Sequence, residues 1–229
     1  MDKIEKVRSI SIWVFIIPFI ALNACLILIT QFHGLFPNQE HIILNTIPYI
    51  DGQVSISRTA RVFPTYLIFK PAMFLTSYLL IKYWLYTKEI ILFFNKNHKN
   101  IKYIMFFGIG SAILLTLHSV FLGIKFDNEL YKLFRKAVML SFIIFEIVAQ
   151  AYLVMTYYSF KNHLLKFINQ NFLKMKLMLV LILVLVALIS IPIVTMPGNK
   201  IFKHALEWNY FVGVIFFYLL TFFMWKNKN

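Results

Sequence analysis

Six stretches of about twenty mostly apolar residues recur along the chain, the length that lets a helix cross the hydrocarbon of a bilayer. They lie near Ile10–Thr30, Thr65–Thr87, Lys102–Ile124, Ala137–Tyr158, Leu177–Thr195 and Leu206–Lys226. The pattern predicts an all-α polytopic membrane protein, six transmembrane helices in one bundle, as a single domain over residues 1–229. The first stretch is too long for a signal peptide and has no AxA-type cleavage site, so it is read as a retained span. Pro18, Pro71 and Pro192 fall inside spans and should kink or locally open them. Gly108, Ser111 and Ala112 form a small-residue strip that lets the third helix approach a neighbour closely. The fifth span, almost purely aliphatic up to Pro192, is expected to face lipid.

The polar connections predict orientation, because lysine and arginine accumulate in cytoplasmic loops. With the N-terminus inside, the inner segments hold 14 Lys and Arg against 9 in the outer ones, so both termini are assigned to the cytoplasm. Acids lean the other way, with Glu40, Asp51, Asp127, Glu129 and Glu207 outside. The membrane would be a bacterial cytoplasmic membrane, or an endomembrane in a eukaryotic cell. The first outer connection, residues 31–64, is long for a compact protein and is a candidate functional loop. Within it Asp51-Gly52 stands between two apolar alternations from Ile47 to Ile56, which predicts a small β-hairpin; the alternative is an irregular loop that contains a turn. The inner connection Lys161–Lys176 carries Leu164, Phe167, Ile168 and Phe172 at helical spacing. Either it lies along the cytoplasmic interface facing anionic headgroups with Lys96, Lys99 and Lys102, or these lysines only set topology.

Composition narrows the class further. With 60% hydrophobic residues, 14% charged residues and a mean hydropathy of +0.75, the chain is not an ordinary soluble globule, which is about a quarter charged. Only 7 Gly, 7 Pro and a single Cys25 exclude disorder, collagen-like repeats and a disulfide scaffold. The net charge of +14 suggests nucleic acid at first sight, but no basic stretch outside the spans carries interleaved aromatics, and no nucleic-acid partner is predicted. The histidines and Cys25 are scattered singly and no phosphate loop, dinucleotide fingerprint or nucleophile elbow occurs, so neither a metal site nor a cofactor is expected.

Polar residues at membrane depth are the site candidates, since each charge there costs at least ~2.5 kcal/mol and needs a partner in the bundle interior. Glu146 is the only acid deep in a span, His118 the only histidine so placed, and Asn23 interrupts the first span. Converted to depth, Asn23, Lys70, His118 and Glu146 lie roughly 4, 9, 7 and 2 Å to the outer side of their span centres. Glu207 and Trp208 open the sixth span at the same face. Two readings stand: a polar cavity open to the outer leaflet, or a set of interhelical hydrogen bonds. Lys70 and Lys82 read as side chains that snorkel to the outer and inner interfaces.

The long first outer loop ends in Val54-Ser-Ile-Ser-Arg-Thr-Ala-Arg61, a proline-led second span follows, and Ala205-Leu206-Glu207-Trp208 opens the last. This layout resembles the family that includes post-GPI-attachment-to-proteins factor 2, the N-terminal domain of the yeast cell-wall protein Cwh and the DRAM autophagy modulators. Ser55-Ile56-Ser57 resembles the family's Ser-Ile-Ser element, and Glu207-Trp208 its acidic-aromatic opening of the last helix. Where the family would carry a histidine near the start of the fourth span, this chain has Phe134-Arg135-Lys136. The resemblance implies a multi-pass protein concerned with lipid handling, in some members fatty-acid remodelling of GPI anchors.

The leading expectation is a membrane protein that binds, and in one version remodels, a lipid through an outer-leaflet cavity. Glu146 and His118 would be its polar centre and the general base of any chemistry. Ser57, Arg58, Arg61, Lys70, Glu207 and Trp208 would stand at the mouth, Asn23 would line the cavity, and Arg58 or Arg61 would hold a phosphate headgroup. Glu146 and His118 are expected within hydrogen-bonding distance, directly or through one water. No nucleophile–base pair is readable, so whether the protein is an enzyme stays open. The alternatives are a small proton-coupled transporter using Glu146 and His118 as a relay, and a non-catalytic assembly subunit with protein partners or a second copy of itself.

Overall fold

The computed structural model describes residues 2–44, 46–96, 98–124, 128–196 and 198–226. Lys125, Asp127 and Lys228, which enter the loop-charge comparison, lie outside the described residues. Six long helices dominate: α1 (Asp2–Gln31), α4 (Tyr66–Phe94), α5 (Ile101–Phe121), α6 (Glu129–Ser159), α8 (Gln170–Thr195) and α9 (Lys200–Met224). Three short ones, α2 (Pro48–Asp51), α3 (Ile56–Ala60) and α7 (Lys161–Leu164), sit in the connections. Five of the long helices, α1, α5, α6, α8 and α9, are long and apolar enough to cross a membrane, which is compatible with an integral membrane protein. At 29 residues α4 is long enough, but Lys70, Lys82 and Thr76-Ser77-Tyr78 dilute its apolar character and it falls outside that set.

The long helices close into a ring. α1 packs along α4, α4 along α5, α5 along α6, α6 along α8, α8 along α9, and α9 returns to α1. From α4 to α9 short connections enforce this order, since consecutive helices joined by a few residues pack as antiparallel neighbours. Close approach of α4 and α5 depends on Gly108, where an added Cβ would lie 2.5 Å from the Trp84 ring. Ser111, one turn on in the same strip, is buried and points at α6 instead. Most of α8 remains uncovered by other helices, as its aliphatic sequence predicts. α1, α4 and α8 continue helically through Pro18, Pro71 and Pro192.

Two sequence-based expectations are overturned. Among its described residues the outer loop contains no hairpin: 48–51 is a helical turn and Asp51 has helical backbone. Pro48 starts the turn, where its fixed φ is suited to a first helical position. The Asp51 carboxylate accepts from the Thr46 hydroxyl at 2.7 Å and the Ile47 N–H at 2.7 Å, and Gly52, at φ 58, ends the helix in the left-handed conformation. Asp-Gly is therefore a helix C-terminus here and not a two-residue hairpin turn, because only the glycine has positive φ. The inner segment 161–176 is not one continuous helix either. α7 stops after one turn, Asn169 N–H donates to the Met224 carbonyl, Lys226 N–H donates to Phe167, and α8 begins at Gln170. Lys176, counted from the sequence as a loop charge, is fully buried between α8 and α9.

Candidate functional site

One face of α6 builds the site. Arg135, Met139, Phe142 and Glu146 follow one another at spacings of four, three and four, so they share a stripe. The helix starts two turns before the apolar stretch, with the Asn128 side chain capping the Leu130 N–H, and so carries Arg135 and Lys136 above the membrane-depth residues. Glu146, 1% exposed, accepts from the Ser111 hydroxyl of α5 at 2.5 Å, from the Gln150 amide at 3.1 Å and from the Tyr218 hydroxyl of α9. Gln150 in turn donates to the Val214 carbonyl at 3.1 Å. The carboxylate thus ties three helices together at the centre of the ring.

Glu146 and Tyr218 form the floor of a cavity of about 80 Å³. Its walls are apolar, including Phe69, Met73, Leu115 and Phe142, and His118 and Glu207 stand at its upper edge. By a measure in which roughly 10–15 Å³ admits one water, the space takes about half a dozen water-sized groups. His118 and Met139 also line a second, wider depression of about 550 Å³, bounded by Ser57, Arg61, Glu129, Arg135 and Lys136. His118 and Met139 are thus wall residues of both spaces. Three cations face one carboxylate in the upper space. Partial burial, and then the nearby Arg135 and Arg58 guanidiniums, hold Arg61 below its ordinary pKa.

The loop above is fastened by the residues that open α9. Trp208, fully buried, donates its indole N–H to the Val54 carbonyl at 2.8 Å and packs edge-on against Tyr49. The Glu207 carboxyl is turned to the backbone N–H groups of Ile56 and Ser57 at the start of α3. His204 bonds the Gly52 carbonyl at 2.9 Å, and the Asn209 amide donates to the Tyr49 carbonyl at 2.7 Å.

Of the residues singled out from the sequence, the structure gathers Glu146, His118 and Glu207 at one cavity and Ser57 and Arg61 at its mouth. Others lie elsewhere. Asn23 does not line the cavity: it donates to the Phe19 carbonyl and accepts from the Tyr49 hydroxyl at 3.0 Å, acting as a latch for α2. Trp208 is an anchor buried under the loop, and Arg58, on the exposed side of α3, does not line the depression. Lys70 reaches the Val120 carbonyl at 3.4 Å over the Tyr66 ring, the snorkelling geometry. No hydrogen bond joins His118 to Glu146 among the described residues, because Ser111, Gln150 and Tyr218 occupy the carboxylate. Arg135, Lys136 and Tyr218 were missed; the helical period through Glu146 carries the signal for Arg135, whereas nothing local marks Tyr218.

No family model matches the chain, and neither does any curated protein or solved structure.

Proposed function

We propose that this is an integral membrane protein whose six long helices all cross the bilayer with both termini in the cytoplasm, and that it binds an anionic lipid from the outer leaflet. The observation that supports this reading is that a basic depression and an apolar cavity lie side by side, with His118 and Met139 in the wall of both. Such a pair of spaces suits an amphiphile: Arg61, Arg135 and Lys136 hold the headgroup through charge-assisted hydrogen bonds, and an acyl segment enters between Phe69, Leu115 and Phe142. Glu146 serves as the floor, held in place by three donors, and the reading is binding. The meeting of Ser55-Ile56-Ser57 with Glu207-Trp208 over the cavity brings together the two motifs that carry the resemblance to the lipid-handling family. Inclusion of α4 among the spans is supported by the snorkelling of Lys70 and by Lys82, whose ammonium lies 5.5 Å from the Tyr78 ring.

The test is native mass spectrometry of the detergent-purified protein offered equal phosphatidylglycerol and phosphatidylcholine. Phosphatidylglycerol is expected to be retained in preference. Each basic group near an anionic surface contributes about 1 kcal/mol, so Arg61→Ala with Arg135→Ala should cut that preference roughly 30-fold. Equal retention of both lipids, or a preference untouched by the double substitution, would overturn the proposal.

A further inference from the structure

Beneath the cavity the bundle is not apolar. Three helices turn polar groups toward one another over the inner half of the ring. α6 contributes Glu146, Gln150 and Tyr157; α9 contributes Tyr218, Thr221 and Trp225; α4 contributes Tyr83 and Thr87. Within each helix these positions are separated by three, four or seven residues, so each set forms one stripe. Lys176 of α8 completes the cluster, and every one of these nine side chains is at most 1% exposed.

The contacts run in sequence. Tyr218 donates to Glu146, and its ring meets that of Tyr83 at a centroid distance of 4.9 Å. The Tyr83 hydroxyl is turned toward Thr87 and Thr221, and Thr87 is turned toward Tyr157. Lys176 donates to the Thr221 hydroxyl at 2.7 Å with its ammonium 3.9 Å from the Phe217 ring, and no carboxylate pairs with it among the described residues. At the inner end the Tyr157 ring abuts Trp225 and Phe160.

The cluster is incompletely satisfied by the protein itself. The buried Tyr83, Thr87 and Tyr157 hydroxyls face one another and Thr221 without a hydrogen bond of ordinary length, the Gln150 carbonyl oxygen accepts none, and the Trp225 indole N–H donates to no described protein group. Buried hydroxyls are rarely left so, and hydroxyls that face one another without bonding directly are the sites water bridges. An apolar bundle of this size could hold these helices with leucine at the same positions, so five orphaned polar atoms in one place point to an occupant. Water fits their mixed donors and acceptors; a lipid tail does not.

We infer that this buried stripe binds a short file of water and passes protons between Lys176, near the inner face, and Glu146, at the floor of the cavity. The step balances without a co-reactant. An N–H bond of the Lys176 ammonium breaks as an O–H bond to the adjoining water forms. The shift repeats along the waters held by Thr221 and Tyr83, and the last O–H bond forms on a Glu146 oxygen, giving the carboxylic acid and the neutral amine. Around Glu146 the facing groups are Ser111 of α5, Tyr218 of α9, Tyr83 of α4 and Gln150 of its own helix; around Lys176 they are Thr221 and Phe217 of α9. Above Glu146 lies the cavity, and His118 in its wall also lines the outer depression.

The experiment uses the full chain reconstituted in phosphatidylcholine vesicles with a pH-sensitive dye inside and a valinomycin-driven potassium gradient. Wild-type vesicles should change internal pH faster than protein-free ones. Tyr83→Phe removes one oxygen that no protein group bonds, so it keeps the fold, and it should lower the rate at least tenfold; Lys176→Met should do the same. A wild-type rate equal to that of protein-free vesicles, or a wild-type rate retained by Tyr83→Phe, overturns the inference. Tyr83 lies below the cavity, so Tyr83→Phe should still retain phosphatidylglycerol, and failure of the proton path is thereby distinguished from failure of lipid binding.

Discussion

Replacing Glu146 by Leu removes the acceptor shared by three donors, and the structure determines what each donor loses. The Ser111 hydroxyl can turn its one proton to the Gly108 carbonyl, 2.8 Å away, and the Gln150 amide keeps the Val214 carbonyl at 3.1 Å. Tyr218, whose other polar neighbour is the Gln150 side chain, loses the carboxylate it donates to and is the buried donor that depends on it most. One such group costs about 1–3 kcal/mol. In a chain of this length each kcal/mol moves the midpoint of thermal denaturation by about 2–4 °C, so a loss of roughly 2–12 °C is expected. Removing both partners at once is nearly neutral when the replacements fit, so adding Tyr218→Phe to Glu146→Leu should restore most of the loss. The assay is heating of the detergent-solubilised protein followed by fluorescence-detected size-exclusion chromatography of the wild type, both single variants and the double variant. A double variant no more stable than Glu146→Leu alone would refute the assignment of Tyr218 as the group that depends on the carboxylate.

Gly52→Ala should release the outer loop, because a Cβ there both opposes φ 58 and overlaps the Ile201 carbonyl of α9; the left-handed backbone alone costs about 1–2 kcal/mol, read as faster proteolysis within residues 46–60 with the long helices intact. Burial pushes the Asp51 carboxyl up, but bonds from the Gln53 N–H, the Thr46 hydroxyl and the Ile47 N–H outweigh it and hold the group below its usual value. A depressed carboxyl stabilises fully above the unfolded value of about 3.9 and ceases to do so as pH falls through its lower folded value. Protection of the Ile47 and Gln53 amides from hydrogen exchange, corrected for intrinsic rates, should therefore drop below about pH 4, and Asp51→Asn should show the low-pH behaviour throughout; constant protection across that range contradicts the reading. Single cysteines at Gln53 and Asn169, both exposed, should be labelled by a membrane-impermeant maleimide from outside and only after permeabilisation, respectively, and the reverse pattern would invert the proposed orientation.

Apolar runs of bilayer length and their lysine-rich connections are local properties, and they were enough to define an all-helical chain and the approximate course of every long helix. Helix termini went astray where polar residues continue the helical period, as at Glu129–Lys136 of α6, because a hydropathy window ends at charge whereas a helix ends at a cap. Asp51-Gly52 was ambiguous for a related reason: the same dipeptide closes a hairpin or a helix, and Pro48 with the Thr46 and Ile47 contacts chose the helix. Depth along the bilayer placed Glu146 and His118 near the same level, since rise per residue is fixed. Which way each side chain turns around its axis is set by neighbours far away in sequence. Tertiary packing alone therefore gave Glu146 to Ser111 and Tyr218, Asn23 to Tyr49, and Lys176, indistinguishable in sequence from a loop lysine, to a buried hydroxyl.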